Sequence, residues 1–205
     1  MDRLKLFGLM LAGTVGGFAI VLAMATLLKS GDPARHLATG EMAGFQFQTN
    51  PIPVNTSGFV DETGTDLTLA DFEGRTILVN LWATWCAPCV EELPTLDALQ
   101  DSLGSERFEV VTISIDRGGP DKPKAFFDRL GLSSLTLYRD PSTKIGVGLE
   151  ATGLPTTVLI DERGREVGRY MGPADWNAPE ARALIKSFIP AQDSESSADD
   201  GAAGD

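Results

Sequence analysis

Cys86 and Cys89 are the only cysteines in the 205-residue chain, and two residues separate them. One helical turn brings two such thiols within bonding reach, so the pair can cycle between dithiol and disulfide. No third thiol competes for that bond, and a framework of several structural bridges is excluded. A zinc ribbon would need a second CxxC or a histidine pair, but His36 is the single histidine. The same count disfavours a copper-binding chaperone, which needs soft ligands beyond two thiols. A thiol peroxidase would need a basic group to activate its cysteine, and no Lys or Arg lies between Thr76 and Glu106. Thiol–disulfide exchange is the leading chemistry, with reductase, oxidase and isomerase directions all open.

Two elements must position the pair. Residues 76–82 (TILVNLW) form a nearly unbroken apolar run of the length and Ile/Val content of a buried central strand. After the cysteines, Val90, Leu93, Leu96, Leu99 and Leu103 recur at helical spacing, and Gly104 marks the stop. The cysteines therefore fall at a strand–helix junction, where open α/β sheets place their reactive groups. Cys86 stands at the helix amino end, where free N–H groups and the macrodipole favour an anion. An ordinary thiol of pKa about 8.5 is only about 3% thiolate at pH 7, and lowering it to about 7 takes about 2 kcal/mol. Cys86 is thus the expected attacking thiol and Cys89 the resolving one. Pro88 has no N–H to lose so early in a helix.

The remaining pattern is βαβαβ, then a hairpin and a helix. A first hairpin joins 58–60 to 66–69 through the turn 61–64, and a short turn follows, ending at Gly74. Residues 108–115 read as a second buried strand, 123–130 as a helix and 135–138 as a short strand. Residues 156–160 and 166–170 form an antiparallel hairpin around the turn 161–164, and a last helix begins at Pro179. The expected fold is α/β, a central mixed β-sheet flanked by helices, with an N-terminal β-hairpin extension.

The ends differ from the body. Residues 7–28 carry no charge and follow Arg3 and Lys5; as a helix they would rise about 33 Å, enough to span a hydrocarbon core of about 30 Å. Ala23-Met24-Ala25 would suit a cleavable signal peptide, but Thr26-Leu27-Leu28 prolongs the apolar run beyond it, which favours a retained transmembrane helix. Basic residues flank both sides, so the positive-inside rule casts no clean vote; a leading basic pair places the body outside the cytoplasm. The domain plan is an anchor at 1–30, a Pro-containing linker at 31–56, a domain at 57–190 and a disordered acidic tail at 191–205. The net charge is −12; Asp2 against Arg3, Lys5 and Lys29 gives the first 30 residues +2, so the rest carries −14. So acidic a body argues against nucleic acid.

The stretch LVNLWATWCAPC at 78–89, with Glu92 and Pro94 after it and GLPTT at 153–157, resembles the TlpA/ResA-type branch of the thioredoxin superfamily. The likeness runs from about Gly58 to Ile189 and is closest to the TlpA-like membrane-anchored thiol:disulfide reductases. It implies a thioredoxin fold, a periplasm-facing domain and a protein disulfide reductase with no cofactor beyond its Cys86–Cys89 pair and no metal. It also implies substrates among apocytochrome c or the copper-assembly proteins of cytochrome oxidase, with re-reduction by a membrane thiol-transport donor; a monomer is expected. By the same resemblance Trp85 is the aromatic wall beside the nucleophile. Pro155 matches a cis-proline facing the disulfide, and Leu154 before it, with Ala87 and Pro88, contacts substrate. Thioredoxins bury an aspartate where this chain has Asn80, which cannot exchange a proton at neutral pH. Glu92, one turn beyond Cys89, is the expected replacement, its pKa raised if buried. Glu91 beside it reads as a solvated charge. TlpA-like proteins with a second cysteine pair differ from this chain, which lacks it.

Overall fold

The structure, a computed structural model, describes residues 34–54 and 57–191. The strands are β1 (Gln46–Pro53), β2 (Phe59–Val60), β3 (Asp66–Leu67), β4 (Thr76–Trp82), β5 (Phe108–Ser114), β6 (Thr136–Arg139), β7 (Thr156–Ile160) and β8 (Arg165–Met171). The helices are α1 (Ala87–Leu103), α2 (Asp121–Leu130), α3 (Lys144–Gly148) and α4 (Pro179–Lys186). One mixed sheet has the order β1-β8-β7-β4-β5-β6-β2-β3. β4 runs parallel to β5 and antiparallel to β7, and β6 runs parallel to β5. The parallel steps β4–β5 and β5–β6 each use a helical crossover, α1 and α2, as parallel strands require.

Every residue of β4 is buried because helices and loops cover both sheet faces. Alternation along the strand divides its side chains. Leu78 and Trp82 join the core made with Leu93, Leu96 and Leu99 of α1, whereas Ile77, Val79 and Leu81 face the layer containing Phe59, Phe72 and Ile145. Asn80 shares the parity of Leu78 and Trp82 and so points to the α1 side, along with Thr76 a polar residue on that face of the strand.

The first hairpin forms as β2–β3 at the far edge of the sheet. Its turn is held by Asp61 Oδ1, which accepts from Thr63 N at 2.8 Å and Thr65 N at 2.9 Å, with Gly64 at φ 87°. One expectation needs correction, and one element was missed. Within the expected linker 31–56, residues 46–53 instead form β1, antiparallel to β8. Its mostly exposed side chains show no apolar alternation, and Pro51 and Pro53 are tolerated because an edge strand has one unpaired side. The short helix α3 was not anticipated; its turn is held by Asp140, which accepts from Ser142 N at 2.9 Å and Ile145 N at 2.8 Å.

β1 can lie close to β8 because residue 168 is glycine. A Cβ there would overlap the Phe45 ring and sit 2.8 Å from the Gln46 carbonyl oxygen. Gly168→Ala is expected to cost about 1–3 kcal/mol and to push β1 off the sheet. Faster hydrogen exchange confined to the β1 and β8 amides would show it.

The expected anchor at 1–30 and the acidic tail from 192 onward lie outside the described residues. Among the described residues no helix is long and apolar enough to cross a membrane.

Candidate active site

Cys86 caps the amino end of α1, with backbone φ −94° and ψ 96°, and Pro occupies the first turn. The two cysteines form a disulfide with Cα atoms 5.3 Å apart. They differ in exposure: Cys86 is 6% exposed and Cys89 is fully buried, while Trp85 before them is 66% exposed. Ala87 is exposed and Pro88 half-buried. This asymmetry follows from the helix. Cys86 is at its tip, whereas Cys89 begins the inward stripe Cys89, Glu92, Leu93, Leu96 and Leu99.

The β4–β7 pairing brings Pro155 to the same end of the sheet. Leu81 opposes Thr156, so the residues just before β7 meet the loop just after β4. The Leu154–Pro155 bond is cis, Pro155 is buried and Leu154 half-buried. Gly172 N donates to the Pro155 carbonyl at 3.0 Å. Met171, which pairs with Thr156, adds an exposed apolar side chain at this edge. Trp85, Cys86, Ala87, Pro88 and Cys89 thus share one end of the sheet with Leu154 and Pro155, and Glu92 follows one turn further along α1.

Glu92 is 2% exposed, while Glu91 faces solvent. Three donors meet its carboxylate: Asn80 Nδ2 to Oε1 at 2.7 Å, and Trp176 Nε1 and Ala174 N to Oε2 at 3.1 and 3.2 Å. Burial raises its pKa from an ordinary 4.5 to about 7, and the hydrogen bonds from Asn80, Trp176 and Ala174 oppose that rise. A carboxyl so placed exchanges its proton near neutral pH, one helical turn from the Cys89 thiol position.

Sequence reading missed Asp116, which organises the loop carrying Trp85 and Cys86. Its buried carboxylate accepts from Thr84 N at 2.8 Å, Thr84 Oγ1 at 2.7 Å and Ser114 Oγ at 3.0 Å. No local motif signals this bracket, since 32 residues separate Asp116 from Thr84. Asp116→Ala would leave the buried Thr84 N–H unpaired and two hydroxyls without their acceptor. A loss of about 2–4 kcal/mol is expected, lowering the melting temperature by roughly 5–10 °C in a thermal scan. Asp116→Asn, which keeps one acceptor, should recover part of it. Trp176 and Ala174 were missed as Glu92 partners for the same reason, lying more than 80 residues away. Among the described residues no group of three or more His, Cys, Asp or Glu comes together to hold a metal.

A family model described as Redoxin matches residues 47–185. The chain belongs to the Redoxin family. The match begins inside β1, consistent with that strand being part of the domain. Over 109 residues this Redoxin-family chain is 35% identical to the thiol:disulfide interchange protein HelX of Rhodobacter capsulatus, covering 53% of the chain and 58% of that protein. Over 113 residues it is 31% identical to the thiol-disulfide oxidoreductase ResA of Bacillus thuringiensis, covering 55% of the chain and 64% of that protein. Both alignments thus span less than two thirds of the relative's own length. Among solved structures, a DsbF homologue from Corynebacterium diphtheriae superposes with a TM-score of 0.57 at 25% identity, covering 70% of this chain and 90% of that one. A thioredoxin-family thiol:disulfide interchange protein from Chlorobium tepidum superposes with a TM-score of 0.57 at 23% identity, covering 69% and 98%. The architecture is the thioredoxin-like α/β fold, a mixed sheet with flanking helices.

Proposed function

We propose that this chain is a thiol:disulfide oxidoreductase that reduces disulfides in protein substrates. The observation that carries the reading is the unequal burial of the pair: Cys86 reaches the rim beside Trp85, and Cys89 is enclosed one turn from buried Glu92. The Cys86 thiolate attacks a substrate disulfide; the new Cys86–substrate bond forms as the substrate S–S bond breaks, and the released sulfur takes a proton from water. Cys89 then gives its proton to the Glu92 carboxylate and attacks Cys86 Sγ. The mixed disulfide breaks, its electron pair leaves on the second substrate sulfur, and the protein ends in the disulfide state described above. Trp85, Ala87, Pro88 and Leu154 line the contact with substrate, and Pro155 leaves the preceding backbone free to pair with it.

The TlpA/ResA resemblance, together with relatives named for disulfide interchange, supports the reductive direction. It also supports apocytochrome c or the copper-assembly proteins of cytochrome oxidase as substrates, and a membrane thiol transporter as electron donor. The apolar run at 7–28 supports a single-pass anchor in the inner membrane with the domain in the periplasm. The direction is tested by equilibrating the pair with glutathione. A reductase is expected to poise nearer thioredoxin's roughly −270 mV, and a value near about −120 mV would instead make the chain an oxidant.

A further inference from the structure

The hydrogen bonds around Glu92 leave one buried atom without a partner. Asn80 is fully buried and donates through Nδ2 to Glu92 Oε1 at 2.7 Å and to Thr157 Oγ1 at 2.9 Å. Its Oδ1 has no hydrogen-bond partner among the described residues. Among the described residues the amide is therefore held only through its Nδ2 bonds to Glu92 and Thr157, and nothing bonds to its oxygen side.

The other donors to Glu92 cannot reverse. Ala174 N is backbone and Trp176 Nε1 is an indole N–H, donor only, and both engage Oε2. A proton added to Glu92 is thus directed to Oε1, the oxygen that accepts from Asn80 Nδ2, and on the lone pair facing the amide it sets donor against donor. Rotation of the amide replaces that clash with an acceptor. Thr157 follows, because its hydroxyl can donate as readily as accept.

We propose that the Asn80 amide is a reversible positioning partner of Glu92, donating through Nδ2 to the carboxylate and turning about Cβ–Cγ to accept through Oδ1 when Glu92 is protonated. An aspartate at position 80 could bond the ionised form only by keeping a proton of its own, since two carboxylates would otherwise face each other. The amide instead bonds both forms, so Glu92 can gain and lose a proton without leaving an unpaired donor at Oε1.

Glu92 lines a cavity of about 330 Å³ together with Glu41 from the turn before β1, Glu91 and Thr95 from α1, and Asp175 from the loop after β8. Every titratable group lining it is a carboxylate, and Cys89, one turn earlier on α1, is tied up in the disulfide. None of the rim residues Trp85, Cys86, Leu154 or Pro155 belongs to this lining.

The reversal follows protonation of Glu92 whatever delivers the proton; only its place in thiol exchange rests on the function proposed above. The experiment therefore uses the oxidised full chain, in which no thiol titrates. Carboxyl carbon NMR gives the Glu92 pKa in the unsubstituted protein and in Asn80→Ala. A fixed donor stabilises only the carboxylate, so its loss would strengthen proton binding about tenfold or more and overturn the proposal. A reversible partner bonds both forms, so its loss is expected to change proton binding less than about threefold. Should Asn80→Ala fail to fold, the side-chain amide resonances of Asn80 decide. They are expected to shift with the Glu92 titration. In Glu92→Gln they should resemble those of the acid form at every pH, because the introduced carboxamide must turn its NH2 toward residue 80. Amide resonances unchanged through the titration would overturn the proposal. Trapping of substrates through Cys86 would stand in either case.

Discussion

Cys89→Ser is expected to stop turnover after the first half-reaction and leave the protein covalently joined to its substrates through Cys86. The effect should be large because Cys89 acts within the same helical turn. Well-oriented intramolecular groups reach effective molarities of about 10⁵ M or more, against about 10⁻³ M for an added small thiol. Release of the mixed disulfide should slow by at least about 10³-fold, long enough to survive acid quenching. Non-reducing gels followed by mass spectrometry would display the adducts and name the substrates. Cys86→Ser, lacking the attacking thiol, should form none. The serine at 89 is nearly isosteric, so a folded Cys89→Ser protein that captured nothing from an oxidised periplasmic extract would remove the mechanism. Capture of cytochrome or copper-assembly proteins would support the proposed substrates, and capture of others would redirect them.

Glu92→Gln is the second large expectation, and it has two independent readouts. The first is rate. A neutral carboxamide at this position cannot accept the Cys89 proton, and loss of a positioned general base typically costs about 10²–10⁴-fold. Resolution of a preformed Cys86 mixed disulfide at pH 7 should slow by about 10²-fold, while the initial attack by Cys86 changes little. Single-turnover stopped-flow separates the two steps.

The second readout is stability against pH. Burial raises the Glu92 pKa from 4.5 to about 7, so between those values the folded chain holds a proton that the unfolded chain releases. Raising the pH through this window therefore destabilises the oxidised protein. Below about pH 4.5 the group is protonated in both states, above about 7 ionised in both, and the contribution is flat on either side. The loss across the window is about 3 kcal/mol. Urea midpoints measured from pH 4 to 8 should fall accordingly, and Glu92→Gln should abolish the part of that slope belonging to this residue. Asp61 and Asp71, whose pKa values their hydrogen bonds to neighbouring threonines hold below the ordinary range, act below the window and do not confuse it.

Much of the site was legible because its components are local. The period-two and apolar-run patterns identified β4, β5, β7 and the β2–β3 hairpin, and the helical spacing from Val90 to Leu103 located α1, whose observed span is Ala87–Leu103. Those two elements alone put Cys86 and Cys89 at a strand–helix junction. The resemblance added Pro155 and Glu92, which the fold brings to the same region.

β1 was not legible. An edge strand buries little and pairs on one side, so Gln46–Pro53 needs no alternation and tolerates prolines that read as a linker. The short helix α3 is held by one aspartate and a single turn, too little for periodicity to register.

The two cysteines and their spacing, readable from the chain alone, suit interchange between dithiol and disulfide, and the strand and helix around them set Cys86 at the helix tip and Cys89 one turn inside it. What only the tertiary structure decided is the environment of the carboxyl group beside them. Glu91 and Glu92 are adjacent identical side chains, and the rotation of α1 against the sheet exposes one and buries the other. The burial that moves Glu92 to about 7, and the donors that temper it, come from Asn80 on β4 and from Ala174 and Trp176 more than 80 residues away. Local periodicity encodes which residues turn inward; which partners they meet there depends on strand order and crossovers, and those exist only once the chain has closed on itself.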